Sequence, residues 1–322
     1  MEIRNQPHLL HSSVWTIFGN ATYILSQLGI VIAIAQFTSQ SDLGRYGWAM
    51  AISTPVFMFF NMNTRLVQTT DAGDKFTLSN YFGLRCISTS IAMLILLCAG
   101  ILIEDEFQRM VFMMIVLMKS IEAFSDVFYG YYQKHHRMDV VARSLALRGP
   151  ITLIFFVLIL LYTENLATAL FSQLIVWFCV FVFHDRHFLA ISGDSQPVSS
   201  LPAFNRNKLW KLINIALPLA FAAVLAAITN SVPRIVIEQT LGFEVLGVFT
   251  AIAYPLVAGL FFANALGEVF SARMSQHYFV DDMLGFWRVF RNAGFIYSAI
   301  GTILLIMAWY LGKPILDIVF GQ

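Results

Sequence analysis

Long apolar runs separated by short polar connections recur along almost the whole chain. A helix crossing the roughly 30 Å hydrocarbon core of a bilayer needs about 20 apolar residues. Nine stretches meet that length: 14–36, 43–64, 80–103, 110–132, 142–162, 166–184, 212–236, 246–270 and 292–312. The first is too long for the apolar region of a secretion signal, and no small-residue cleavage site precedes the next run, so it reads as a retained helix. The pattern predicts an all-α, polytopic transmembrane bundle.

Composition agrees. Of 322 residues, 58% are hydrophobic and 12% charged, with a mean hydropathy of +0.71, whereas soluble domains carry about 25% charged residues. The net charge of +1 is the remainder of 20 Lys+Arg against 19 Asp+Glu and points to no nucleic-acid partner. No cysteines stand at ligand spacing, and Cys86, Cys98 and Cys179 lie in apolar runs as packing residues. No resident metal is expected.

The positions of the charges say more than their sum. Thirteen Lys and Arg fall on the side of the N-terminus, in the connections or at the ends of the spans, and three, Arg45, Arg109 and Lys313, on the other. Cytoplasmic loops retain positive charge, so the N-terminus is expected inside and the tail from Lys313 outside. The opposite connections are short, 37–42, 104–109, 163–165 and about 237–245, which argues against an enzyme that holds a glycan acceptor on the outer face. The longest polar segment, Asp185 to Lys211, contains Gly193-Asp194-Ser195-Gln196-Pro197 and Leu201-Pro202 and reads as a flexible linker. It has no phosphate-cradling glycine loop, so no nucleotide cofactor is implied. The expected organisation is a six-span lobe over 1–184, a cytoplasmic linker over 185–211 and a partial lobe of three spans over 212–322.

An offset of 203 residues aligns Gln36 with Gln239, Leu43-Gly44 with Leu246-Gly247, Tyr46 with Phe249 and Asn61 with Asn264. The aligned spans start on the same side, which makes the copies parallel repeats about an axis along the membrane normal, with two lobes facing a central cavity. Six spans in the first lobe against three in the second leave the second lobe incomplete or the symmetry partial.

The segments Ser41-Asp42-Leu43-Gly44-Arg45-Tyr46, Arg65-Leu66-Val67-Gln68-Thr69-Thr70-Asp71, Val232-Pro233-Arg234-Ile235-Val236-Ile237-Glu238, Leu246-Gly247-Val248-Phe249 and Ala253-Tyr254-Pro255 resemble the Wzx-type polysaccharide flippases. These belong to the multidrug/oligosaccharidyl-lipid/polysaccharide exporter superfamily. Members have about twelve spans, so this sequence looks C-terminally short beside them. The resemblance implies a multi-pass protein of the bacterial inner (plasma) membrane. It would flip undecaprenyl-pyrophosphate-linked sugar repeats from the cytoplasmic to the periplasmic leaflet for O-antigen or capsule biosynthesis. It further implies lipid-linked oligosaccharide and membrane lipids as partners, a polysaccharide polymerase and chain-length regulator beside it, no enzyme activity, no cofactor, and H+ or Na+ as coupling ion. Competing readings are a cation-coupled multidrug exporter of the same superfamily, a membrane glycan polymerase or ligase, and an inactive truncated remnant.

Ionisable groups inside a bilayer are costly and mark function by default. In the fourth span Lys119, Glu122, Asp126 and Tyr129 fall within about 80° of arc at roughly 100° per residue. Lys119 could attract a pyrophosphate or anionic sugar, with Glu122 or Asp126 carrying a coupling proton; alternatively Lys119 and Glu122 neutralise each other as an i,i+3 pair. Asn230, Arg234 and Glu238 form a second stripe beside Pro233, either an anion contact through Arg234 or an Arg234–Glu238 pair reaching the interface. Arg65 and Glu268 are repeat-related and opposite in charge, hence a candidate inter-lobe gate or two separately solvated helix ends. Arg85 and Arg148 each lie about six residues inside a span, where snorkelling to the interface competes with a basic inner vestibule. The His135-His136 pair and Asp281-Asp282 read as surface.

Overall fold

The computed structural model describes residues 7–71, 75–135, 137–186, 201–279 and 281–320. Among them the regular structure is helical throughout: α1 (Pro7–Phe37), α2 (Gln40–Asn61), the short α3 (Thr64–Thr70), α4 (Leu78–Ile101), α5 (Glu106–Lys134), α6 (Met138–Thr163), α7 (Leu166–Val180), α8 (Arg206–Phe279) and α9 (Met283–Phe320). The nine apolar runs fall mainly within these helices, with 43–64 running into the break between α2 and α3, 80–103 two residues past the end of α4, and 166–184 from α7 into the turn that follows it. Six segments of the described residues are long and apolar enough to cross a membrane by themselves. Helices α2 and α5 have the length as well, with 22 and 29 residues, but their charged side chains lower their hydropathy. The linker motif around Gly193 lies outside the described residues.

Local sequence sets the helix boundaries. Ser39 accepts from the backbone N–H of Asp42 at the start of α2, Thr77 and Asn80 form a reciprocal capping box on α4, and Asn165 caps α7, each satisfying donors that a helix start leaves open. The segment before α8 is anchored on α4, where the N–H of Ala203 donates to the carbonyl of Ser79 at 2.9 Å. Gly242 interrupts α8 with φ 83° and ψ 178°, a region open essentially only to glycine.

The chain reverses at that glycine. Before it, Leu212, Ala216 and Ala220 share a buried cluster with Met62 and Val67, and the Phe221 ring lies 5.5 Å from that of Phe59, all at the end of α2 that leads into α3. After it, residues 243–250 lie along the opposite end of α2. A Cβ on Gly44 would overlap the backbone of Phe243, one on Gly247 the backbone of Gln40, and one on Gly47 the Thr250 side chain. The first two contacts are images of each other under the 203-residue offset, and Gly47 meets its own repeat partner. The repeat read from the sequence is therefore a pseudo-two-fold in space, running along two helices that lie parallel at their crossing, with Leu43 and Leu246 both fully buried beside it.

Helix α5 is the hub of the first six spans, packing against α2, α3, α4, α6 and α7, while α1 lies along α6. Contacts divide the chain into Met1–Thr250 and Ala251–Gln322. Within the second unit α8 and α9 form a hairpin, with Phe270 and Tyr297 in ring contact at 6.2 Å. At its turn Asp282 accepts from the N–H of Gly285 and from His277, which together hold its carboxyl below the usual carboxylate range.

At the end of the bundle opposite the α2–α3 turn, Arg45 pairs with Asp42 and Asp105, both at 3.0 Å, and covers the rings of Phe107 and Phe243. Asp105 also caps α5. The N–H of Gln108 is the first cause that holds its carboxyl below the usual range, with Arg45 and the N–H of Phe107 adding to it. A depressed folded pKa gives stability that is present above the ordinary aspartate value near 3.9 and lost as pH falls through the lower folded value. Asp105→Ala is expected to lower stability by about 1 kcal/mol at neutral pH, with the difference closing below about pH 4; thermal unfolding in detergent across that range checks it. Gly44→Ala and Gly247→Ala are each expected to cost about 1–3 kcal/mol, because the added methyl meets backbone that cannot yield, whereas alanine at Gly294, which faces open space, should leave the melting temperature within a degree or two of the parent.

Candidate functional site

Five charged side chains meet in the third of the bundle nearest the α2–α3 turn. Arg85 projects from α4 and is 1% exposed. It donates to Asp126 of α5 at 3.1 Å, to the Thr64 hydroxyl at 2.6 Å and to the Asn61 carbonyl oxygen. Arg65, on the first turn of α3, donates through Nε to Gln133 at 2.9 Å and approaches the other oxygen of Asp126 at 3.5 Å. The side chains of Arg65 and Asp126 are 32% and 28% exposed. They are the face of the cluster that opens outward.

Behind them lies a fully buried pair. Arg148 of α6 donates to Asp185 at 2.9 Å and to Ser125 at 2.8 Å, with side-chain exposures of 2% and 0% for Arg148 and Asp185. Its guanidinium lies 5.2 Å from the Trp177 ring and 6.0 Å from that of Tyr129. Ser144 bridges the two helices by bonding both Asp185 and the Tyr129 hydroxyl. Tyr129 also lies under Arg65, at 5.8 Å, so one ring touches both halves of the cluster. Three guanidinium groups thus face two carboxylates, and the network carries one positive charge in excess.

The backbone makes this possible in two places. After Val180 the helix widens into a π turn, Phe181–Asp185, closed by the bond from Arg186 N–H to the Phe181 carbonyl at 3.0 Å. The extra residue shifts the helical register, as π turns at functional sites do, and turns Asp185 into the bundle. In α5 a 3, 4, 3 spacing aligns Lys119, Glu122, Asp126 and Tyr129, of which the first two pair with each other while Asp126 meets Arg65 and Arg85 and Tyr129 meets Ser144.

Several of the sequence-derived candidates are brought together and others are not. Asp126, Arg65 and Arg85 form one cluster, joined to Arg148 through Tyr129. Lys119 and Glu122 bond each other at 2.9 Å, partly exposed, one to two turns along α5 from Asp126. Arg85 and Arg148 do not snorkel: both are buried, because a carboxylate and hydroxyls reach them inside the bundle. Asn230 is exposed and donates to the Ala226 carbonyl at 3.4 Å. Among the described residues, the Nε of Arg234 is buried without a hydrogen-bond partner, and no ion pair joins it to Glu238. The side chain of Glu268 lies outside the described residues, so its relation to Arg65 is not seen. Asp185 is not legible as a site residue in the sequence, where it opens a polar linker; its one signal there is that an arginine six residues inside a span calls for a carboxylate. A groove between α4, α5 and α7, lined by Met93, Ile121, Phe124 and Phe178, offers apolar surface and no charge. No group of three His, Cys, Asp or Glu among the described residues is arranged to hold a metal ion.

No protein-family profile matches the chain. The capsular polysaccharide biosynthesis protein CapF of Staphylococcus aureus is 29% identical over 305 residues, spanning 94% of this chain and 75% of that protein. A multidrug resistance transporter of the MATE family, in the MOP superfamily and solved in an inward-facing conformation, superposes with a TM-score of 0.71 at 11% identity. It covers 92% of this chain and 72% of its own. The chain therefore shares the fold of that solved transporter, a polytopic helical bundle, and is a multi-pass membrane protein.

Breaking a buried ion pair by removing one partner costs about 3–5 kcal/mol, because the other charge remains desolvated and alone. Asp185→Ala is expected to destabilise by that amount, and Arg148→Met similarly. The double variant should lose markedly less than the sum, a coupling that a double-mutant cycle of unfolding free energies reads directly.

Proposed function

We propose that this protein is a flippase that carries a lipid-linked oligosaccharide across the membrane for capsule or related polysaccharide assembly. The observation that carries the reading is the cluster of Arg65, Arg85 and Asp126, partly exposed at Arg65 and Asp126 with Arg85 buried behind them, in which cations outnumber the carboxylate. Guanidinium forks match phosphate oxygens in geometry and charge, so the cluster suits the pyrophosphate that joins a polyprenyl lipid to its sugars. The similarity to CapF, a capsular polysaccharide biosynthesis protein by name, supports the same class.

In this reading the basic connections face the cytoplasm, where Arg65 and Arg85 receive the head group, while the polyprenyl chain stays in lipid. Movement of one helical unit against the other then exposes the head to the far side. A cycle of this kind has a direction only if binding differs between the two facings and free energy is supplied; a proton or sodium gradient, or consumption of the flipped lipid by a polymerase, would do so. The protein makes and breaks no covalent bond in this scheme.

A second reading, export of a drug, is favoured by the likeness to a MATE transporter. A cationic cargo, however, would have to approach Arg65 and Arg85. The two are separated by one experiment. Expressed in a capsule-forming strain deleted for its own flippase, the chain is expected to restore surface polysaccharide, and Arg65→Gln to reduce it at least tenfold at equal membrane abundance. Resistance to cationic drugs without restored polysaccharide would overturn the assignment.

A further inference from the structure

Asp126 has a second meaning that rests on the anionic-cargo reading above. Its two carboxylate oxygens lie against two different arginines, Oδ1 at 3.5 Å from Arg65 and Oδ2 at 3.1 Å from Arg85. Carboxylate and phosphate accept from a guanidinium in the same way. The chain thus places one of its own anionic groups where the oxygens of an incoming diphosphate would bind. We propose that Asp126 is a resident competitor for the cargo: the pyrophosphate head displaces it from Arg65 and Arg85, and its return displaces the head, so that Asp126 governs release.

The geometry fits displacement better than permanent pairing. Arg85 is fixed without Asp126, by the Thr64 hydroxyl and the Asn61 side chain, and Arg65 by Gln133. Both cations therefore keep their positions when the carboxylate leaves. Asp126 is 28% exposed beside Arg65 at 32%, so the displaced carboxylate has water to move into, whereas Asp185, the other carboxylate of the network, is wholly enclosed. Asp126 is also tethered within the site, which gives it a high effective concentration. A free anion gains only the surplus of its interaction over that of the tethered group. A bare pair of arginines in a low-dielectric bundle would hold a diphosphate too tightly for a transporter, and a carboxylate that re-enters the site lowers affinity while speeding departure.

Removing the carboxylate should therefore tighten binding and slow transport, an outcome that a purely structural role for Asp126 would not produce. The full chain in lipid nanodiscs is titrated with inorganic pyrophosphate at a fixed pH by calorimetry, with surface polysaccharide measured for the same variants in cells. Asp126→Asn is expected to bind pyrophosphate at least tenfold more tightly than the parent while restoring several-fold less polysaccharide, and Asp126→Glu to return toward parental affinity. Arg65→Gln should lose most of the binding. If Arg65→Gln loses binding but Asp126→Asn binds no more tightly than the parent, the competition is wrong and the anion site stands. If binding is absent, or indifferent to Arg65, the site itself falls and the competition with it. A measurement on the unaltered chain guards against misfolding of the variants: saturating pyrophosphate should raise carbodiimide-driven labelling of the Asp126 carboxylate, read by mass spectrometry. Labelling that is unchanged or reduced overturns the displacement.

Discussion

The burial of two guanidinium groups inside an apolar helical bundle is the constraint around which the first six spans are arranged. An ion removed from water is tolerated only when charge and hydrogen bonds inside replace the lost hydration. Arg148 and Arg85 cannot lose their charge at any ordinary pH, so the fold has to bring acceptors to them. Asp185 arrives through a π turn, Asp126 from the central helix, and Ser125, Thr64 and Asn61 complete the set. Those acceptors come from helices distant in sequence, so the charges fix how α4, α5, α6 and α7 pack as firmly as the apolar contacts do.

The approach of α2 to the return segment of α8 is set by absence of side chains. Gly44, Gly47 and Gly247 let α2 and the return segment of α8 approach until backbone meets backbone, and small residues are what allow helices to close together where lipid offers no hydrophobic drive. The contacts exchange under the 203-residue offset, which ties a weak internal repeat to a physical interface. Arg45, with its two carboxylates and two aromatic rings, covers the same end of the seam. The two ends of the bundle therefore differ in kind: one is closed by glycine contact and a salt-bridged clasp, and the other carries the arginine cluster.

A difference between the two carboxylates of the cluster gives it chemical direction. Asp185 is fully enclosed and paired with the equally buried Arg148, while Asp126 stands beside the partly exposed Arg65, where the proposed exchange with a cargo anion would take place. The single excess positive charge therefore sits at the open face. Lys119 and Glu122 cancel each other farther along α5, which keeps the stripe polar without adding net charge.

By itself the sequence determined that the chain is a succession of apolar helices and set their approximate limits, because hydropathy and length are summed locally and a bilayer crossing needs both. It also exposed the asymmetric distribution of basic residues and the repeat around Leu43-Gly44 and Leu246-Gly247. The shared face of Lys119, Glu122, Asp126 and Tyr129 follows from helical periodicity alone. Only the tertiary structure decided which of those groups pair with one another: that Asp126 belongs to Arg65 and Arg85 rather than to Lys119, and that Arg85 and Arg148 turn inward instead of reaching for the interface. It also showed that Asp185 is a buried partner rather than the first residue of a linker. Each of those outcomes depends on contacts between helices tens of residues apart and, for Asp185, on one extra residue in a helical turn, neither of which leaves a periodic trace in the chain.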